Sequence, residues 1–274
     1  MKRLITLVVA ALLLLPVLAE VNITAHRGEV TDGYNFWLYK PAGVSDTDTV
    51  ARPLVIFLHG ASLCGSNLDR VKRYGTIDAL VMGRTIDAYV IAPQNPGGAW
   101  SPRRIMNIVD HLSTKMCIDS TRVYALGMSL GGYGTIDLAA TYPERIAAAI
   151  SMCGGTTMKD LSGLLRLPLW IIHGTADRAV TVKQSDAVVQ AVNALRAEGD
   201  SVRLVYDRVP GMNHSRPARL FYVDAIYDWL LSHSLNDPDR LIKPTIPIDE
   251  QLLSTAYRGL NIPARRSSRR SSRR

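Results

Sequence analysis

Short apolar runs alternate with longer mixed segments along most of the chain from residue 34 onward. Runs of this length between turn-forming residues are typical of buried strands. They predict strands at residues 34–39, 54–58, 88–92, 123–126, 147–152, 169–172 and 202–206. Apolar positions at helical spacing predict helices at residues 107–115, 131–141, 183–198 and 219–231.

Strands that are apolar on both sides and separated by helices indicate a parallel sheet covered on both faces. The predicted fold class is therefore α/β, with a mostly parallel central sheet and helices on both of its faces. Right-handed crossovers place the strand-to-helix loops at one edge of such a sheet. Only about sixteen residues separate the strand ending at Met152 from the one beginning at Leu169, so no large helical lid is expected over that edge.

Polar residues follow four of the predicted strands. His59-Gly60-Ala61 follows the strand that ends at residue 58, and Ser129 follows the strand that ends at residue 126. Asp177 lies four residues beyond His173, and His214 lies in a turn-rich segment after the last strand. Because these loops share one edge, the four groups are expected to converge on one cleft.

Ser129 lies between two glycines, Gly127 and Gly131, at the predicted turn from strand to helix. Such a turn is too tight for side chains at the flanking positions, and its strain holds a serine hydroxyl above the sheet edge. A neutral hydroxyl needs a base within hydrogen-bonding reach and a carboxylate that orients the base. The sequence predicts Ser129 as nucleophile, His214 as general base and Asp177 as orienting acid.

The assignment of the acid has two alternatives, Asp186 in the next predicted helix and Asp207 at the end of the last strand. Trp100 lies in a loop on the same edge of the sheet and is predicted to line the substrate pocket. Simple packing beneath that loop is the alternative for Trp100.

Several of these motifs together resemble the α/β-hydrolase superfamily. They are His59-Gly60, the stretch Gly-Met-Ser-Leu-Gly-Gly-Tyr-Gly at residues 127–134, His-Gly-Thr-Ala-Asp at residues 173–177, and a histidine after the final strand. More narrowly they resemble its secreted esterase branch, which includes polyhydroxybutyrate depolymerase-like, feruloyl or acetylxylan esterase-like and predicted peptidase-like proteins. The resemblance covers roughly residues 34–232.

The resemblance implies a serine carboxylesterase that acts through an acyl-enzyme, with acyl esters of plant polysaccharides or related small esters as substrates. By position and by the family pattern, the backbone N–H groups of Ala61 and Leu130 form the oxyanion hole. A serine peptidase with the same triad is the nearest alternative. A non-catalytic binding domain on the same fold is disfavoured, because a binding module has no need of the base.

The formal net charge of +8 lies at the two ends of the chain. Lys2 and Arg3 supply two charges and the arginines of residues 265–274 supply six, which leaves residues 20–264 neutral. Nucleic acid is therefore not an expected partner. The repetitive tail of residues 265–274 is expected to be disordered and to make at most weak contact with a polyanion.

Residues 1–19 are predicted to be a signal peptide, with a positive start, an apolar stretch at residues 4–15 and a small-residue cleavage site. A membrane anchor is the alternative, although the apolar stretch is shorter than the ~20 residues that span a bilayer. Export to the periplasm, the cell surface or the medium is expected. Residues 20–234 are predicted to be the catalytic domain and residues 235–264 a C-terminal arm.

Three cysteines, Cys64, Cys117 and Cys153, make an odd count in a chain predicted to be exported. One disulfide with one free thiol is compatible with this count, and the sequence does not pair them. Their scatter, without clustered histidines, argues against a structural zinc site, so no metal or other cofactor is expected. Three buried thiols are the favoured interpretation.

Overall fold

The computed structural model describes residues 21–45 and 47–262. Within them, eight strands form one sheet in the order β1-β2-β4-β3-β5-β6-β7-β8. The strands are β1 Ile23–His26, β2 Phe36–Tyr39, β3 Arg52–Leu58, β4 Tyr89–Pro93, β5 Ile118–Met128, β6 Ala148–Met152, β7 Leu169–Gly174 and β8 Leu204–Val209. β2 pairs antiparallel with β1 and β4, and every other pairing is parallel.

Helices connect and cover the strands. The α-helices are α1 Thr76–Val81, α2 Pro102–Ser113, α3 Leu130–Thr141, α4 Lys183–Leu195, α5 Asp224–Leu231 and α6 Glu250–Thr255. Four 3₁₀ helices of the described residues span Ala61–Leu63, Leu68–Arg73, Ser162–Arg166 and Arg216–Tyr222. The start of α2 is defined locally, because the Ser101 side chain accepts a hydrogen bond from the Arg104 amide and Pro102 occupies the first turn.

Two apolar cores lie on opposite faces of the sheet, because successive side chains of a strand alternate between its faces. Phe57 packs in the core that contains α1, α5 and α6, whereas its neighbour Ile56 packs in the core that contains α2, α3 and α4. Both side chains are fully buried, and burial of each contributes roughly 1.5–3 kcal/mol. The predicted α/β fold class with a mostly parallel sheet is confirmed.

The predicted strands are all found, with bounds that shift by a few residues. The sequence prediction missed β1, α1 and α6, and it was wrong to extend one helix over residues 219–231. That region is a 3₁₀ helix, Arg216–Tyr222, followed by α5, because Val223 between them has extended backbone angles. The connection from β6 to β7 contains only the 3₁₀ helix Ser162–Arg166, so no lid covers the edge there.

Residues 235–262 run along the side of the sheet that α5 covers. The Leu235 amide donates to the Thr121 carbonyl at 2.9 Å, and the Leu253 side chain of α6 is buried in that core. No helix of residues 21–45 and 47–262 has the length and apolar character needed to cross a bilayer. The predicted signal peptide, residues 1–19, and the predicted basic tail, residues 265–274, lie outside the described residues and stay predictions.

Candidate active site

Ser129 occupies the sharp turn between β5 and α3. Its backbone angles are φ 59° and ψ −123°, in a region that side-chain-bearing residues rarely adopt. The Ser129 amide donates to the Met152 carbonyl at 2.8 Å, and the Ser129 carbonyl accepts from the Tyr133 amide at 3.0 Å. The strained turn is therefore tied to the end of β6 and to the first turn of α3.

The glycines around Ser129 are required by close backbone contacts. A Cβ at Gly131 would lie 1.8 Å from the Leu58 carbonyl oxygen, and a Cβ at Gly127 would lie 2.4 Å from the Gly131 carbonyl oxygen. Both distances are far below van der Waals contact. Any other residue at either position would push α3 away from β3 and displace Ser129.

His214 reaches Ser129 from the loop that follows β8. Its Nε2 lies 3.1 Å from the Ser129 Oγ, and the imidazole is 27% exposed. Two hydrogen bonds join this loop to the loop after β7, from the Gly211 amide to the Thr175 Oγ1 at 2.9 Å and from the Ala176 amide to the Met212 carbonyl at 3.1 Å. The two loops therefore hold each other in register.

Asp177 lies on the other side of the His214 ring, with its Oδ2 2.6 Å from the His214 Nδ1. Its Oδ1 accepts from the amides of Ala179 and Val180, each at 2.9 Å, and the His173 Nε2 lies 3.3 Å from its Oδ2. Burial of the Asp177 carboxyl raises its pKa, but the hydrogen bonds from His214, Val180 and Ala179 outweigh burial and hold the pKa below its ordinary value. The group is therefore a carboxylate at neutral pH.

The side chains of Ser129, His214 and Asp177 thus form a continuous hydrogen-bonded line at the carboxyl edge of the sheet. The two alternative acids lie elsewhere. The Asp186 carboxylate accepts from the Tyr206 hydroxyl at 2.7 Å, and the Asp207 carboxylate accepts from the Trp170 Nε1 at 2.7 Å.

The two predicted oxyanion donors begin helices. Ala61 is the first residue of the 3₁₀ helix Ala61–Leu63, and Leu130 is the first residue of α3. The N–H groups in the first turn of a helix have no acceptor within it and can bind an anion. The residue before Ala61 lies against the serine, since a Cβ at Gly60 would be 3.4 Å from the Ser129 Cβ.

Trp100 packs beneath the loop rather than along the cleft. The residue is only 3% exposed, its ring meets those of Tyr34 and His59 edge-on, and its Nε1 donates to the His59 carbonyl at 3.3 Å. A Cβ at Gly134 would lie 2.6 Å from the Trp100 ring, so α3 closes over the indole. The prediction that Trp100 lines the pocket is not supported by this position, because almost no indole surface is left for a substrate.

Cys153 was predicted only to be a buried thiol, yet it lies beside the site. It follows β6, between the strands that carry Ser129 and Asp177, and its sulfur lies within 4.8 Å of ligand atoms of Asp177 and His214. Burial strongly raises the pKa of its thiol, and the Asp177 carboxylate raises it further. For these three side chains to bind a metal ion, Cys153 would have to lose its thiol proton and Asp177 would have to give up its existing hydrogen bonds.

All three cysteines are free thiols. Cys153 is fully buried, but Cys64 and Cys117 are only half-buried, so the expectation of three buried thiols holds for one of them. Topology could have indicated Cys153, because a residue that ends a strand between two site strands must lie between their loops. Its thiol contact with Asp177 has no local signal in the sequence.

No protein-family model matches the chain. Among curated proteins, it is 30% identical over 121 residues to poly(3-hydroxyalkanoate) depolymerase C of Paucimonas lemoignei. This match covers 38% of this chain and 28% of that enzyme. It is 22% identical over 173 residues to a bifunctional acetylxylan esterase/xylanase of Neocallimastix patriciarum. That match covers 62% of this chain and 25% of the relative. The chain therefore matches about a quarter of the length of these relatives.

Among solved structures, a thermostable esterase superposes with a TM-score of 0.64 at 23% identity. The match covers 78% of this chain and 63% of the esterase. At this level of identity the likeness shows a shared fold.

Proposed function

We propose that this chain, whose fold is that of the α/β-hydrolases, is a serine carboxylesterase with Ser129, His214 and Asp177 as its catalytic triad. The observation that carries the proposal is the hydrogen-bonded line from the Ser129 Oγ through both nitrogens of His214 to the buried Asp177 carboxylate. A serine hydroxyl, an imidazole and a buried carboxylate in this order are what nucleophilic attack by serine requires.

In the first half of the reaction, the Ser129 Oγ attacks the ester carbonyl carbon while the His214 Nε2 takes its proton. The imidazolium that forms is stabilised by the Asp177 carboxylate, which the Val180 and Ala179 amides keep ionised. The negative charge on the carbonyl oxygen is met by the N–H groups of Ala61 and Leu130. His214 then gives the proton to the leaving alkoxide, and the alcohol departs.

In the second half, water attacks the acyl-enzyme, and His214 takes a proton from the water as it took one from Ser129. The tetrahedral intermediate forms in the same oxyanion site. Its collapse returns the proton to the Ser129 Oγ and releases the carboxylic acid. The base therefore has to face both the serine and the cleft, and the partly exposed imidazole of His214 suits this requirement.

For the substrate we propose acyl esters on polysaccharides, or small esters of the same acids. The absence of a lid between β6 and β7 supports this class, because an open sheet edge admits a substituent on a polymer. The matches to an acetylxylan esterase/xylanase and to a polyhydroxyalkanoate depolymerase support ester hydrolysis on polymeric substrates as well. The signal peptide predicted at residues 1–19 supports export to the outside of the cell, where such polymers occur.

The test is a panel of acetyl, feruloyl and longer-chain esters, each paired with the matching amide, offered to the wild type, to Ser129→Ala and to Ser254→Ala. Ser254 lies exposed on α6 and is the matched control. Turnover of at least one ester far above its amide, lost in Ser129→Ala and kept in Ser254→Ala, is the expected result. Amide turnover equal to ester turnover would indicate a peptidase, and no turnover of either would indicate a binding domain.

A further inference from the structure

Tyr74 follows the 3₁₀ helix Leu68–Arg73 and contacts the turn that contains Ala61. Its hydroxyl accepts a hydrogen bond from the Gly60 amide at 3.1 Å. Gly60 immediately precedes Ala61. A side chain distant in the sequence therefore holds the peptide group next to the proposed oxyanion donor.

The same hydroxyl lies close to the nucleophile. A Cβ placed on Gly60 would lie 2.8 Å from the Tyr74 Oη and 3.4 Å from the Ser129 Cβ. The Tyr74 hydroxyl, Gly60 and Ser129 thus meet with no space for even one methyl group between them. A shift of the hydroxyl would move Gly60 relative to the serine.

The position of Tyr74 is itself fixed by the core. Gly75 has a φ of +94°, and a Cβ there would lie 2.1 Å from the Phe57 ring, so this segment lies directly against β3. The Arg70 guanidinium donates to the Ser62 carbonyl at 2.8 Å. The segment of residues 68–75 therefore holds the turn of residues 60–63 at two points.

The phenol is in the right protonation state for this contact. Burial raises the pKa of Tyr74, although the hydrogen bond from the Gly60 amide acts in the opposite direction. A neutral phenol oxygen has lone pairs for the Gly60 N–H. It also adds no negative charge beside a site that must accept an oxyanion.

We propose that Tyr74 is a positioning residue of the oxyanion hole, whose hydroxyl sets the place of the Ala61 N–H relative to Ser129 by holding Gly60. This inference rests on the proposed function. Tyr74 acts through the Gly60 peptide and does not need to touch the substrate. Its contribution is expected in the transition state, where the carbonyl oxygen carries charge, and not in ground-state binding.

The contact between Tyr74 and Gly60 allows a double-mutant test. Tyr74→Phe removes the hydroxyl, and Gly60→Ala adds a methyl group that meets the hydroxyl. In the double variant Y74F/G60A the hydroxyl that the methyl would meet is gone. The two changes are therefore expected to be coupled, with a combined loss of kcat smaller than the product of the two single losses.

The experiment measures kcat, KM and the affinity for a boronic acid, which forms a tetrahedral adduct on the serine, in the wild type and the three variants. Tyr74→Phe is expected to lower kcat and boronic acid affinity by about tenfold each, with KM changed less than about twofold. The control is Tyr206→Phe, which loses a 2.7 Å hydroxyl bond to Asp186 on α4 and is expected to keep the wild-type kcat.

Wild-type kcat and boronic acid affinity in Tyr74→Phe would overturn the inference, and so would losses that simply multiply in the double variant. If Gly60→Ala fails to fold, Tyr74→Phe with its two readouts still decides the question. A wild type that hydrolyses no ester and binds no boronic acid would contradict the proposed function itself. If instead the wild type is active and Tyr74→Phe has the same kcat and boronic acid affinity, only the inference about Tyr74 is overturned.

Discussion

The Nδ1 of His214 lies 2.6 Å from the Oδ2 of Asp177, whose carboxylate is completely buried. Because a carboxylate can only accept, the ring carries its proton on Nδ1 and donates a hydrogen bond to Asp177. The Nε2 lone pair is left for the serine hydroxyl 3.1 Å away. The buried carboxylate keeps its charge because it also accepts two backbone N–H bonds. The tautomer and the direction of the imidazole are thus both fixed before any substrate binds.

Asp177→Asn is expected to keep the fold and to lower kcat by roughly 10⁴-fold, because an amide can donate to Nδ1 and favour the wrong tautomer. Steady-state kinetics on the best ester measures the loss. The control is Asp207→Asn, which changes a carboxylate bound to Trp170 outside the site and should leave kcat unchanged. Equal kcat in Asp177→Asn and the wild type would show that Asp177 does not orient the base.

Gly131→Ala is expected to cost about 3 kcal/mol of unfolding free energy or more, because the new Cβ would lie 1.8 Å from a backbone carbonyl that cannot move alone. Gly134→Ala, one turn further along α3, meets the Trp100 side chain instead and should cost clearly less. Denaturant unfolding of both variants makes the comparison. Equal losses would contradict the close approach of α3 to β3.

Trp100→Ala is expected to destabilise the fold by roughly 3–5 kcal/mol, because it removes a buried indole. Trp100→Phe should keep most of that packing and leave KM for small esters unchanged, since the side chain has almost no exposed surface. Unfolding and kinetics on both variants test this. A large rise of KM in Trp100→Phe with unchanged stability would restore the idea that Trp100 contacts the substrate.

Acid should destabilise the protein through His59. Burial is the main cause that lowers the pKa of His59 to about 4, against an unfolded value near 6.5. Between these values the unfolded state binds more protons, so stability falls as pH drops, by up to about 1.4 kcal/mol per pH unit from this group. His59→Gln, which cannot titrate, should show a shallower slope of unfolding free energy from pH 6.5 to pH 4. Parallel slopes for wild type and variant would contradict this account.

Much of the fold could be predicted from sequence because the central strands are buried on both faces and appear as unbroken apolar runs. β1 was missed because its four residues, Ile23–His26, pair antiparallel at the edge of the sheet and are at most half-buried. α1 and α6 were missed because each has only six residues, too few to show a helical periodicity. The break at Val223 is a change of backbone conformation that apolar spacing does not reveal.

The candidate site was predictable to the extent that it follows from topology. Ser129, Asp177 and His214 each follow a parallel strand, and neighbouring parallel strands bring their loops to one edge. Trp100 lies on that edge too, but its depth beneath the loop depends on how Tyr34 and Gly134 pack around it. The Tyr74 hydroxyl contacts the turn of residues 60–63 because of the path that residues 64–75 follow. No local sequence pattern specifies that path.

In the proposed reaction, His214 makes Ser129 nucleophilic. The most direct measurement is labelling of the protein with a fluorophosphonate, with the modified residue located by peptide mass spectrometry and the rate compared among wild type, Ser129→Ala and His214→Ala. One adduct is expected, on Ser129, absent in Ser129→Ala and formed far more slowly in His214→Ala. No labelling of the wild type under conditions that label a control serine esterase, or an adduct on another residue, would contradict the proposed reaction.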